Sequence, residues 1–269
     1  MTSRRFLGFA MLTTSWFGVA NALAADLPVR KAPAYTPAAQ LFTWTGFYIG
    51  ANAGGVFASQ GDTQTIGTPG YVGLGPTLVP ASLGTKEDGF IGGGQLGYNY
   101  QIGSALIGLE ADFGGTSISK SASFTSAASV LGTTLTTSAK AQLDYLGTVR
   151  GRLGFTPTER LLVYGTGGLA YGDVKTTASV IPNAVAGGLW SGSTSNVRTG
   201  YAVGGGLEYA VTNNVTLKGE YLYYDLGKTT TNALGNGVIR SIPQLNGIDY
   251  ISQVREAGSI VRVGANYKF

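Results

Sequence analysis

The sequence predicts an all-β protein, an eight-stranded antiparallel up-and-down transmembrane β-barrel. Three observations carry this expectation. From Trp44 to Phe269, apolar and polar residues alternate with period two. The connections between the alternating segments are short and long in strict turn. The chain also joins an export-type N-terminus to a last strand that ends on an aromatic residue.

Residues 1–24 read as a signal peptide. Arg4 and Arg5 form a positive start, Phe6 to Ala20 an apolar run too short to span a bilayer, and Ala22-Leu23-Ala24 a small-x-small cleavage site. Residues 25–43, with Pro28, Pro33 and Pro37, read as a flexible periplasmic leader. The barrel is expected over 44–269, with strands at about 45–57, 88–101, 105–118, 139–155, 160–175, 198–211, 214–227 and 255–269. Three connections are short: Ile102-Gly103-Ser104, Thr156-Pro157-Thr158-Glu159 and Thr212-Asn213. Four are long and rich in Gly, Ser, Thr and Asn, at about 58–87, 119–138, 176–197 and 228–254. An up-and-down barrel with both ends in the periplasm requires that order, with long extracellular loops and short periplasmic turns. The long loops are expected to be mobile.

The two faces of the strands differ in chemistry. One carries Phe47, Ile49, Leu96, Tyr98, Leu109, Leu143, Val149, Leu153, Leu169, Val203, Leu217, Val263 and similar residues, with no charge among them. Tyr and Phe cluster towards the strand ends, as at the two interfaces of a membrane. The other face carries Glu110, Asp112, Asp144, Glu208 and Glu220 against Arg150, Arg152, Lys218, Arg262 and Lys268. The signs balance, which predicts a salt-bridged interior, because a buried charge without a partner costs several kcal/mol. The glycine runs Gly92-Gly93-Gly94, Gly167-Gly168 and Gly204-Gly205-Gly206 would relieve crowding in a narrow, curved sheet. A soluble lipocalin-like barrel would reverse the faces, apolar inside and polar outside.

Composition excludes several functions. The formal charge of +4 falls to about +2 once Arg4 and Arg5 are removed, and no basic stripe interleaved with aromatics appears, so nucleic acid is not an expected partner. The chain has no Cys and no His, and both methionines lie in the export segment. Without His, a Ser-His-Asp site is impossible, and no zinc ligand set exists. Glu110 and Asp112 share a face, but pairing with Arg150 or Arg152 is the expected use. Gly165-Thr166-Gly167-Gly168-Leu169-Ala170 fits a loose dinucleotide fingerprint but lies within a strand. No enzyme activity and no cofactor are expected. Haem could be held only through a tyrosine such as Tyr71 or Tyr250. An eight-stranded interior is just wide enough to be filled by side chains, so a narrow pore for small solutes is the alternative rather than the first reading.

The motifs also carry a resemblance. Trp44-Thr45-Gly46-Phe47-Tyr48-Ile49-Gly50, Gly92-Gly93-Gly94-Gln95-Leu96-Gly97-Tyr98-Asn99-Tyr100-Gln101, Gly151-Arg152-Leu153-Gly154-Phe155 and Gly204-Gly205-Gly206-Leu207-Glu208-Tyr209 are among those that resemble the small outer-membrane β-barrel proteins of alphaproteobacteria, the porin-family or opacity-type surface antigens. Arg262-Val263-Gly264-Ala265-Asn266-Tyr267-Lys268-Phe269 resembles the C-terminal signal read by the barrel-assembly machinery, through Arg262, Gly264, Tyr267 and Phe269. The resemblance implies an integral protein of the Gram-negative outer membrane, exposed at the surface and architectural in its motif residues. The implied role is envelope integrity and surface contact, with lipid and lipopolysaccharide as neighbours. Lys86, Lys120, Lys140, Lys175, Arg198, Lys228, Arg240 and Arg255 are the cations expected near its phosphates. A surface ligand-binding barrel is the remaining alternative, and the oligomeric state is open.

Overall fold

A computed structural model describes residues 42–58, 61–67, 82–85, 88–126, 134–183 and 185–269. The expected signal peptide, most of the leader, Tyr71 and Lys86 lie outside the described residues. Leu41–Phe269 form one compact unit.

The strands are β1 (Gly46–Ala58), β2 (Gly61–Gly67), β3 (Ser82–Thr85), β4 (Asp88–Ile102), β5 (Ala105–Thr125), β6 (Leu135–Thr158), β7 (Leu161–Pro182), β8 (Trp190–Ala210), β9 (Val215–Gly235) and β10 (Tyr250–Lys268). A short helix, α1 (Gly237–Ser241), lies between the last two. All pairings are antiparallel, and β1, β4, β5, β6, β7, β8, β9 and β10 follow one another around a ring. The ring closes through β1 and β10, from Tyr48 opposite Lys268 to Ala58 opposite Gly258. Phe269 N–H completes the seam by donating to the Phe47 carbonyl at 3.0 Å. Closure removes both sheet edges, which is what allows strands to cross a bilayer without orphaned backbone groups.

The short turns come where the sequence places them. Gly103 and Ser104 form the β4–β5 turn, and Gly103 takes a φ of +61° that favours glycine. The long connections differ from expectation. β5, β6 and β7 run for 21, 24 and 22 residues, where a tilted strand crossing a bilayer needs about nine to eleven. Most of 176–197, and about half of 119–138 and of 228–254, is therefore continued strand rather than loop. The physical reason is that the two-residue period never stops. Ser119, Ser121 and Ser123 are exposed, whereas Lys120 is buried and Ala122 and Phe124 are half-buried. Within the expected loop 58–87, β2 and β3 form a hairpin, and β2 pairs with β10 from Tyr250 to Gln253. Asn236 caps α1, its side chain accepting from Ile239 N–H at 3.1 Å.

The outward positions are apolar around the whole ring. Phe47, Leu109, Leu153, Leu169 and Val263 are each about two-thirds exposed, and Ile49, Leu96, Val203, Leu207 and Leu217 about half. A water-soluble monomer rarely exposes a contiguous apolar patch beyond a few hundred Å². A greasy band circling eight strands needs hydrocarbon as its solvent. Leu143 is the correction: it is buried inside. The β6–β7 register shifts between Leu143 and Leu146, so the strand changes phase there.

Inside, side chains fill the ring in layers. Near the short turns, Trp44, Leu106, Leu162, Tyr164 and Ala210 pack together, with Phe42 edge-on to Trp44. Farther along the strands comes a charged layer, then an apolar one built from Val56, Ile91, Leu143, Val174, Leu222, Ile260 and their neighbours. A last cluster, including Leu135, Val180, Trp190, Ile239 and Tyr250, fills the extended end and is closed by α1.

Candidate functional site

The charged layer is built by even-numbered residues of β5, β6, β8, β9 and β10, which the two-residue period aims inward. Glu110 and Asp112 come from β5, Arg150 and Arg152 from β6, Glu208 from β8, Lys218 and Glu220 from β9, and Arg262 from β10. All are buried.

Arg150 sits at the centre. Its guanidinium reaches Glu110 Oε1 at 2.7 Å, Asp112 Oδ2 at 2.8 Å and Glu220 Oε1 at 3.1 Å, and its Nε donates to Thr148 at 2.8 Å. Arg262 meets Glu220 Oε2 at 2.6 Å and Asp112 Oδ2 at 2.9 Å. Lys218 donates to both carboxylate oxygens of Glu110, at 2.9 and 3.0 Å. Arg152 pairs with Glu208 at 2.7 Å and donates to Tyr48 Oη at 2.7 Å, and the Tyr48 hydroxyl donates to Glu110 at 2.8 Å. The Arg152 guanidinium also lies over the Tyr164 ring, 4.0 Å from its centroid. Glu208 is further bound by Thr216 at 2.5 Å and Asn266 at 2.8 Å.

The arithmetic of charge is neutral: Glu110, Asp112, Glu208 and Glu220 against Arg150, Arg152, Lys218 and Arg262. Each carboxylate bridges at least two donors from different strands. Such a layer ties the ring together across its diameter, because Lys218 of β9 and Glu110 of β5 stand on opposite sides of the eight-strand ring yet touch. The charges are far costlier to separate than to leave paired.

Two expected members lie elsewhere. Asp144 is exposed and pairs with Lys175 at 2.6 Å, because the register shift beside it turns its side chain outward. Lys268 keeps the inward phase but lies below the layer, where it donates to the Thr43 carbonyl and covers the Phe42 ring at 5.0 Å. One acid and one base leave together, so the balance survives. Lys120, expected among the rim cations, is instead buried and paired with Glu256 at 3.2 Å. Arg240 and Arg255 are tied to Asp249 and Asp225.

Sequence reasoning missed two contributors. Tyr48 was recognisable, since Phe47 faces out and its neighbour must face in. Trp44 was not, because it precedes the strand. Its backbone N–H donates to Gln101 at 2.9 Å and its indole N–H to the Glu159 carbonyl at 3.1 Å, which folds it under the mouth of the barrel. Of the C-terminal residues, Arg262 belongs to the charged layer and Gly264 lies opposite Asn52 and Lys218. Tyr267 and Phe269 face outward with their rings edge-on at 5.3 Å.

A closed ring with a greasy exterior and an ionic, filled interior defines an integral membrane β-barrel. The chain belongs to the family described as the outer membrane protein beta-barrel domain, which matches residues 31–241. It is 40% identical over 257 residues to the 31 kDa outer-membrane immunogenic protein of Brucella melitensis biotype 1, covering 93% of this chain and 94% of that protein. It is 33% identical over 159 residues to the 22 kDa outer membrane protein of Rhizobium leguminosarum bv. viciae, covering 58% of this chain and 62% of that one. Among solved structures it is similar to Neisserial surface protein A, at 16% identity, 84% of this chain, 98% of that chain and a TM-score of 0.33. The protein is an outer-membrane β-barrel with surface-antigen relatives.

Proposed function

We propose that the protein is a closed, structural surface barrel that contributes to envelope integrity and surface contact and conducts no solutes. The observation that carries this reading is the charged layer, in which Arg150 and Arg262 bind Glu110, Asp112 and Glu220 across the middle of the lumen. Apolar layers lie on both sides of it, with Trp44 beneath. A solute would have to break several buried ion pairs at once.

The same geometry argues against catalysis. The chain has no His, and every carboxylate of the layer is committed to cations. Lipid and lipopolysaccharide are the expected neighbours. The barrel-assembly machinery is expected to read the last strand, whose Tyr267 and Phe269 rings face outward and are exposed. Deleting Phe269 is expected to lower the amount of folded protein in cells while leaving refolding into detergent intact.

The deciding experiment is a planar-bilayer recording on purified protein whose folded state is established by its altered gel mobility without boiling. A silent membrane is expected. Reproducible stepwise conductance from the folded form would replace the structural reading with the narrow pore.

A further inference from the structure

Above the membrane, the outer surface of β5, β6, β7 and β8 is a grid of hydroxyls. The register sets three rows across the four strands. Ser119, Gln142, Lys175 and Ser195 form the first, Ser121, Lys140, Thr177 and Ser193 the second, and Ser123, Ser138, Ser179 and Ser191 the third. All twelve positions are exposed or half-exposed. Nine are Ser or Thr, and none is apolar or acidic. Neighbouring strand positions along a row stand about 4.8 Å apart, and the rows about 6.6 Å. A shallow groove of about 320 Å³ runs over the centre, lined by the side chains of the second and third rows on β5, β6 and β7 together with Ala122 and Ala139.

The period of a strand explains the exposure but not the composition. On the next strands round the ring, the outward residues of β9 and β10 at similar height are Lys228, Thr230, Asn232, Leu234, Ile251, Gln253 and Arg255, a mixed and partly apolar set with one hydroxyl among seven. The hydroxyl grid is therefore local to one side. No large apolar side chain is present to drive docking of a second copy, and two lysines are too few for a nucleic acid.

We infer that this face binds the saccharide portion of outer-leaflet lipopolysaccharide, an inference that rests on the surface-barrel reading proposed above, with the extended strand ends outside the cell. Three features fix the occupant. A hydroxyl both donates and accepts, so a grid of them suits a ligand made of rotating hydroxyls. The height also fits. On β7 the outward aromatic is Tyr171, and the grid runs from Lys175 to Ser179, about 13 to 26 Å farther along the strand. Interfacial tyrosines mark the edge of the hydrocarbon, so the grid stands above the acyl chains, beside the sugars. Finally, the only charges on the grid are positive. Lys175 is held by Asp144, whereas Lys140 has no acidic partner among the described residues and is free to meet a phosphate or acidic sugar on the chain.

The test uses the full-length protein in phospholipid nanodiscs. Its folded state is first established by gel mobility, so that a failure of the membrane reading is seen before any titration. Lipopolysaccharide with its complete core saccharide is then compared with lipid A, the released core oligosaccharide, and dextran. The core-bearing form is expected to bind at least about tenfold more tightly than lipid A. Both Lys140→Glu and the face-filling Ser138→Phe/Thr177→Phe variant should abolish that difference without changing lipid A binding, while Thr230→Phe on β9 should keep it. Released core oligosaccharide should compete, and dextran should not. Equal binding of lipid A and the core-bearing form, unaltered variants, or equal competition by dextran would each overturn the inference.

Discussion

Removing one member of the charged layer leaves its partners buried and unbalanced, and at that level the barrel is least tolerant. Glu220 accepts from Arg150, Arg262 and Tyr164. Glu220→Gln is expected to cost about 3–5 kcal/mol, read as a lowered urea midpoint of the barrel in lipid vesicles. Asp144→Asn should leave that midpoint unchanged, because its pair with Lys175 is solvent-exposed. The two carboxylates thus separate a structural ion cluster from a surface contact. Gly97 offers a steric counterpart: a Cβ there would collide with the Tyr48 ring, so Gly97→Ala should cost about 1–3 kcal/mol through overpacking. Eight of the ten charged residues read as interior from their phase meet in one layer, since period two assigns them to one face. That reading misplaced Asp144 because a register shift moves no residue type into the sequence, only a phase. Lys120 escaped it because a Ser-rich setting read as loop.

For whole elements, the information lay in periodicity more than in composition. Ser, Thr and Ala suggested loops, yet alternate residues of β5, β6 and β7 bury Lys120, Ala139, Ala141, Thr176, Ala178 and Val180. Small inward residues are what a narrow, strongly packed extension accepts, and the outward Ser and Thr face water. The N-terminal entry shows the reverse. Trp44 has no periodic context, and only tertiary structure reveals that it closes the mouth against Leu106, Leu162, Tyr164 and Ala210. Trp44→Ala should lower stability by about 3–5 kcal/mol in the same urea titration, through the cavity left beneath the charged layer. A change confined to the tail, with the midpoint retained, would show Trp44 to be a passenger of the leader.

The molecule as a whole follows from one solvent requirement. Hydrocarbon demands that every outward residue of the crossing segments be apolar and every backbone group be paired, so ring closure and the sorting of faces were readable from the sequence. Water makes no such demand beyond the membrane, so the length of the strands there was hidden. The extension now has a continuous ladder from β5 to β8 and its own buried cluster around Trp190 and Tyr250. The described strand extensions should behave as part of the barrel rather than as mobile loops. Trypsin applied to whole cells is expected to spare the bonds after Lys120, Lys140, Lys175 and Lys228, since cleavage needs local opening of paired backbone. Amide exchange over 135–143 and 174–182 should be slow, close to that of the crossing segments rather than that of an open loop. Rapid exchange there, or cutting at Lys140 and Lys175 in intact cells, would mean that the extension melts independently. The hydroxyl grid on its surface would then have no fixed spacing to offer a saccharide.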